Sequence, residues 1–221
     1  VGSEMCIRDR LIYNGLIDQA IFLDEVERMQ RKRDLFFGEG EKLILFVGRL
    51  DDIKGVDYLI EAFAKVIKKS SNTRLLIVGD GNYSRYLQMS ADIWSRITFI
   101  GKISKQKLYE FYQIADVGVM PSFHEQCSYV AIEMMMHGLP LIITNTTGLS
   151  EMIHHQNVEC RLILKEDQNE LRLSVEELSK CLLKIVTDDC WAREVGKLNR
   201  CRYKDAFSLE KMRMAFESFY S

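Results

Sequence analysis

Residues 121–151 read PSFHEQCSYVAIEMMMHGLPLIITNTTGLSE. A proline-ended strand gives way to a polar turn, then an apolar helix, then HGLP and another strand. Glu125 and Glu133 stand eight positions apart in this stretch. If Ser128 to His137 is helical, Glu133 sits about a turn and a half inside, while Glu125 lies in the loop before it. That loop and the helix start present unpaired backbone N–H groups and a partial positive charge, the arrangement that holds a phosphate. One carboxylate on each side of an anion site suits a ligand with hydroxyls on both sides of a diphosphate. A nucleotide sugar is such a ligand.

Outward from this stretch the chain alternates in the manner of a parallel sheet. The strands are short apolar runs: LILFV (43–47), LLIV (75–78), ITFI (97–100), VGVM (117–120) and LIIT (141–144). Runs without polar alternation belong to strands covered by helices on both faces. Val56, Leu59, Ile60, Phe63, Val66 and Ile67 repeat at three and four, which marks an amphipathic helix; Leu108, Phe111, Tyr112 and Ala115 do the same. After residue 160 the pattern predicts a strand at 161–164 and helices over about 174–188, 190–202 and 208–220. Residues 19–42 are charged, with Phe22, Val26 and Met29 at helical spacing, and read as a helix and loop. The fold class expected is α/β, a doubly wound parallel sheet whose ligands bind at the carboxyl ends of the strands.

Glu125-x7-Glu133 followed by His137-Gly-Leu-Pro resembles the signature of the family 4 retaining glycosyltransferases. Gly48-Arg-Leu with Lys54-Gly55 behind it, Val78-Gly-Asp-Gly81, Phe99-Ile-Gly-Lys102, Ala115-Asp-Val117 and Pro121-Ser122 fall in that family's order and spacing. The resemblance runs motif by motif over about Leu43 to Ile153, and one departure stands out: Ser128 occupies a place where the family often has glycine. It implies the C-terminal, donor-binding half of a two-domain GT-B architecture. A sugar would pass from a UDP-, GDP- or ADP-sugar to an acceptor with retention at the anomeric carbon, in polysaccharide or glycoconjugate biosynthesis. Two alternatives stay open: a nucleotide-sugar-binding module without turnover, and a sugar-nucleotide epimerase of the same architecture.

The resemblance also assigns roles. Arg49 and Lys54 would neutralise the departing diphosphate, the fork of Arg matching two phosphate oxygens and the Lys adding a mobile charge. Glu133 would accept hydrogen bonds from the ribose hydroxyls; its apolar flanks Ile132, Met134, Met135 and Met136 direct a carboxylate into a cleft. Glu125 would face the donor sugar near its anomeric carbon, with Gln126, Cys127, Ser128 and Tyr129 lining the pocket chiefly by backbone N–H. Gly48, Gly79, Gly81, Gly101 and Lys102 would border the base and phosphates, and Thr147, Gly148 and Glu151 would form a loop near the donor. The bland alternatives are a solvated loop for Arg49 and Lys54, an exposed helix glutamate for Glu133 and a cap neighbour for Glu125.

Other chemistry fits less well. Gly79-Asp-Gly81 suggests a dinucleotide fingerprint, but Ser84 stands where a third glycine belongs, and the motif follows the second strand. His124, His137, His154 and His155 lack zinc-site spacing, so no metal or cofactor is expected. Thirty basic against 32 acidic side chains leave a net charge of −2, which draws no nucleic acid. Six cysteines, at 6, 127, 160, 181, 190 and 201, show no CxxC and no framework; they read as reduced thiols in a cytoplasmic protein. No apolar run approaches the roughly 18–20 residues of a transmembrane helix.

Three parts are expected. Residues 1–42 would be an N-terminal remnant and interdomain hinge, with Asn14-Gly15 as its turn. Within them, VGSEMCIRDR (1–10) reads either as translated sequencing-adapter sequence or as an ordinary charged tail. Residues 43–205 would bind the donor, and 206–221 would be a helix returning toward an N-terminal domain. On this reading the chain lacks that domain and is inactive alone. The missing domain would read the glycan, lipid-linked or other acceptor and would carry any peripheral membrane association.

Overall fold

Leu43 and Leu45 face one side of the first strand and Ile44 and Phe46 the other, and all four are buried. Alternation is what strand geometry imposes, and burial on both sides is why the run holds no polar residue. The computed structural model describes residues 12–168 and 170–220, with Phe219 and Tyr220 described by backbone alone. Residues 1–11, among them the decapeptide and Cys6, and the side chain of Phe219 lie outside the described residues.

Six strands form one parallel sheet: β1 (Lys42–Val47), β2 (Thr73–Val78), β3 (Ile97–Gly101), β4 (Val117–Met120), β5 (Leu141–Thr144) and β6 (Arg161–Leu162). Their order is β3-β2-β1-β4-β5-β6. The chain winds outward from β1 through β2 to β3, then returns to the other side of β1 and winds outward again. The reversal between β1 and β4 opens a crevice at the carboxyl ends of those two strands, the place where doubly wound sheets bind ligands.

Around the sheet lie α1 (Glu25–Asp34), α2 (Val56–Val66), α3 (Tyr83–Met89), α4 (Lys105–Ile114), α5 (Tyr129–Met136), α6 (Thr147–Met152), α7 (Val175–Thr187), α8 (Asp189–Arg202) and α9 (Leu209–Tyr220). On one face Leu59, Phe63 and Val66 of α2 pack with Leu178, Leu182 and Ile185 of α7 over Ile44, Phe46, Leu75 and Ile77. On the other, Phe111 and Tyr112 of α4 and Ile132 and Met136 of α5 cover Leu43, Leu45, Leu76 and Ile143. Tyr203 and Phe207, in the π-helical turn between α8 and α9, complete that second core.

The structure departs from the sequence expectations in three places and adds two elements they did not name. Phe22 and Val26 are 60% and 68% exposed and α1 begins only at Glu25, so these residues form no buried helix face. The residue that α1 buries is Lys32, whose ammonium lies 3.4 Å from Asp116 and donates to the Glu41 carbonyl at 2.6 Å. The strand expected over 161–164 ends at Leu162, and residues to which the sequence reading assigned no element fold as a hairpin, β7 (Lys165–Asp167) with β8 (Glu170–Arg172). Thr147, Gly148 and Glu151 belong to α6 and not to a loop. The segment after Gly79-Asp-Gly81 continues into α3, capped by the Asn82 side chain.

Asp116 of the Ala-Asp-Val motif is a structural residue. It accepts from the Leu43 N–H at 2.7 Å and from Arg28 at 3.0 Å, which pins the start of β1 to the turn before β4.

Candidate functional site

Two loops meet at the switch point, one after β1 and one after β4. Asp51 caps a 3-10 turn over Asp52–Lys54, and Gly55 follows with φ 65°, the left-handed conformation that glycine adopts at little cost. A Cβ on Gly55 would stand 2.2 Å from the Pro121 carbonyl oxygen, so the two loops are in backbone contact there. The Phe123 N–H donates to the Ile53 carbonyl at 2.7 Å and joins them a second time.

This joining brings Lys54 to Glu125. The Lys54 ammonium donates to Glu125 Oε2 at 2.5 Å, with 18% and 16% of the two side chains exposed. Ion pairing offsets the cost of covering these two charges from water, and removing either partner would strand a part-buried charge. Arg49 is 73% exposed and pairs with Asp51 at 3.3 Å, which leaves its guanidinium at the rim.

After Glu125 the chain turns into α5. Ser128 caps that helix, its hydroxyl accepting from the Ala131 N–H at 3.3 Å. Its φ of −90° is ordinary for any residue, so the serine that departs from the family's glycine needs no strained backbone and adds a cap. Gln126 and Tyr129 are exposed, and Cys127 is half-buried.

A cavity of about 560 Å³ opens beside the pair, lined by Phe123, His124, Glu125, Gln126, Thr147 and Glu151 among others. Its walls are interlocked: a Cβ on Gly148 would stand 1.7 Å from the Gln126 carbonyl oxygen, so α6 rests directly on the loop before α5. Leu171 of the β7–β8 hairpin also lines it. This hairpin, formed by a charged run without period, left no sequence signal.

Glu133 sits elsewhere. It lies in α5, is 8% exposed, and does not line the cavity that holds Glu125. Three groups from α4 hold its carboxylate: the Tyr112 hydroxyl at 3.1 Å, the Tyr109 hydroxyl at 3.4 Å and the Lys105 ammonium at 3.2 Å. Burial, with Glu133 beside it, pushes the Tyr112 phenol well above its ordinary pKa, so it remains a donor. Lys105 is half-exposed and lies over the Tyr109 ring, with its pKa raised by the Tyr109 hydroxyl and by Glu133. These α4 partners were invisible to the spacing of the two glutamates, although Leu108, Phe111 and Tyr112 already marked the helix.

The glycines of the second loop set are drawn together. Gly48 donates to the Val78 carbonyl at 3.0 Å, and Gly79 approaches so closely that a Cβ there would stand 1.8 Å from the Gly48 carbonyl oxygen. Gly81 packs on Leu50 in the same way, and Gly101 receives the Gly79 N–H at 3.0 Å. Lys102 is exposed next to them. The loops after β1, β2 and β3 thus form one backbone-lined edge, and the last of them runs into α4, the helix that holds Glu133.

Among the described residues no group of three or more His, Cys, Asp or Glu side chains is placed to hold a metal ion. His137 is buried against the Tyr109 and Tyr112 rings, its Nδ1 2.8 Å from the Glu133 carbonyl. His154 and His155 stack on each other with ring centroids 4.2 Å apart. No helix among the described residues is long and apolar enough to cross a membrane.

A family model described as "Glycosyl transferases group 1" matches residues 41–182. A protein from Methanocaldococcus jannaschii, named an uncharacterized glycosyltransferase, is 35% identical over 152 residues, covering 66% of this chain and 39% of that protein. The sucrose-phosphate synthase of Thermosynechococcus elongatus superposes with a TM-score of 0.76 at 27% identity, covering 96% of this chain and 51% of its own. The Anabaena protein HepE, solved with UDP, superposes with a TM-score of 0.78 at 17% identity, covering 96% and 57%; at that identity the likeness is one of fold. The chain therefore spans from 39% to 57% of the length of these relatives.

Proposed function

Because this chain belongs to the glycosyl transferases group 1 family, we propose that its crevice binds the nucleoside-diphosphate sugar of a retaining glycosyl transfer. The observation that carries the reading is the Lys54–Glu125 contact at the switch point, a cation and a carboxylate side by side at the carboxyl ends of β1 and β4. Lys54, with Arg49 at the rim, faces the diphosphate and stabilises the negative charge that grows as the bond from anomeric carbon to phosphate oxygen breaks. Glu125 stands beside the sugar, accepting a hydroxyl or stabilising positive charge on the ring. The backbone N–H groups around Gln126 to Tyr129 receive the phosphates at the start of α5.

In this reading the glycine-lined edge from Gly48 to Lys102 leads the nucleoside toward Glu133, which takes the ribose hydroxyls. The charge balance rests on the chain's own cations, without a metal or cofactor. Residues 43–205 carry the donor site, and acceptor recognition is assigned to sequence equivalent to the rest of the relatives' length. The HepE structure with UDP supports the choice of a nucleoside diphosphate.

The test is a thermal-shift screen of UDP, GDP and ADP, each alone and as its glucose conjugate. A ligand that binds the folded chain alone raises stability by about 2.7 kcal/mol at a hundredfold excess over its dissociation constant. One base should stand out. A flat response to all six would overturn the reading.

A further inference from the structure

We infer that Glu151 is a further specificity-determining residue of the sugar pocket and that Tyr13 positions its carboxylate; the inference rests on the donor reading above. Glu151 lines the same cavity as Glu125 and Gln126. A carboxylate there accepts hydroxyls, and its two oxygens offer about four lone-pair positions. The Tyr13 hydroxyl takes one of them, donating to Glu151 Oε2 at 3.3 Å across 138 residues of sequence. Among the described residues no other side-chain hydrogen bond or ion pair to this carboxylate is formed. The remaining lone pairs are therefore available to a ligand hydroxyl.

Tyr13 is itself fixed. Its ring packs on Phe207 with centroids 4.9 Å apart, and the Arg202 guanidinium lies over both rings. Arg202 also donates to the carbonyls of Glu151 at 2.7 Å and Met152 at 3.2 Å, closing the end of α6. Three residues on, the Leu16 N–H donates to the Phe207 carbonyl and the Leu16 carbonyl accepts from Leu209, both at 2.9 Å. The neighbouring Asn14 amide reaches Cys127 Sγ at 3.5 Å, next in sequence to Gln126, which lines the pocket. The segment before β1 thus touches α6 at the pocket wall and the loop before α5, and loss of the Tyr13 hydroxyl frees the Glu151 carboxylate to turn.

Calorimetric titration with the nucleoside diphosphate that binds, and with its glucose conjugate, tests this. Tyr13→Phe should weaken the sugar conjugate about 2–10-fold, the range of one net hydrogen bond, and leave the plain diphosphate within about a factor of two. Glu151→Gln should do the same, and the double variant should lose no more than either single one, because both act on one contact. Equal losses for conjugate and plain diphosphate, unchanged affinity for the conjugate, or losses that multiply in the double variant would each overturn the assignment. A second readout needs no nucleotide: Tyr13→Phe should lower amide-exchange protection in α6, where the Ser150 N–H donates to Thr146. Binding of no nucleotide by the wild-type chain would defeat the donor reading; unaltered exchange would defeat the positioning of Glu151.

Discussion

Lys54 and Glu125 form one unit although 71 residues separate them. Lys54→Ala should weaken nucleoside-diphosphate binding by about 1.5–3 kcal/mol, the scale of a hydrogen bond to a charged group. It should also lower stability, since the part-buried Glu125 loses its partner. Arg49→Ala, at an exposed rim, should lower affinity by less and leave stability within about 0.5 kcal/mol. Calorimetry and urea unfolding on the two variants separate these effects; equal affinity losses would move Arg49 into the site proper. His137 offers a different test. Burial holds its imidazole below the ordinary value of 6.5, so the folded pKa lies under the unfolded one. Its contribution is then complete above about pH 6.5 and is lost as pH falls through the folded value. His137→Phe should flatten the decline of Tm between about pH 6.5 and pH 5, and an unaltered slope would show that this proton is uncoupled from unfolding. The family resemblance was enough to nominate Lys54 and Glu125. Their pairing was not legible, because it depends on which strand lies beside β1. Nor were the three α4 partners of Glu133, which reach it only through packing between two helices.

At the scale of elements the same divide holds. The runs 117–120 and 141–144 are strands from first residue to last; burial on both faces selects apolar side chains, and the one polar residue, Thr144, satisfies its hydroxyl on the Ser122 carbonyl. The β7–β8 hairpin escaped notice for the opposite reason: its residues are exposed, so no burial pattern marks them. Helix α6 was hidden inside a motif that reads as a turn, TTGLSE, being only six residues long. Gly55 was read only as part of a motif, and the left-handed turn it makes is what the structure adds. Gly55→Ala would put a Cβ at φ 65° and 2.2 Å from a carbonyl oxygen. It should cost at least about 1–3 kcal/mol, read as a lowered urea midpoint, and weaken nucleotide binding by prising the β1 and β4 loops apart. A variant with wild-type midpoint and affinity would show that the loops move independently. Phe63→Ala, in the core between α2 and the sheet, should cost about 3–5 kcal/mol while the surviving folded fraction keeps its affinity.

For the whole molecule, α9 leaves apolar surface uncovered. Leu209, Met214 and Phe216 are 38%, 51% and 45% exposed, and Ile17 nearby is 63% exposed. Exposed apolar side chains gathered on one helix in this way invite association. Sedimentation velocity should show a weight-average mass rising with concentration, and Met214→Glu with Phe216→Glu should suppress the rise. A concentration-independent monomer for the parent chain would show that the patch is too small to matter. The strand order described above has another consequence, one of timing. β1 acquires β2 early, but its other edge waits for β4, and the 70 residues from Val47 to Val117 must first be synthesised. At ~5–20 residues per second that interval is roughly 4–14 s. Once β2 has joined it, β1 keeps a bare, apolar edge until β4 arrives, and that edge is able to pair with a neighbouring nascent chain.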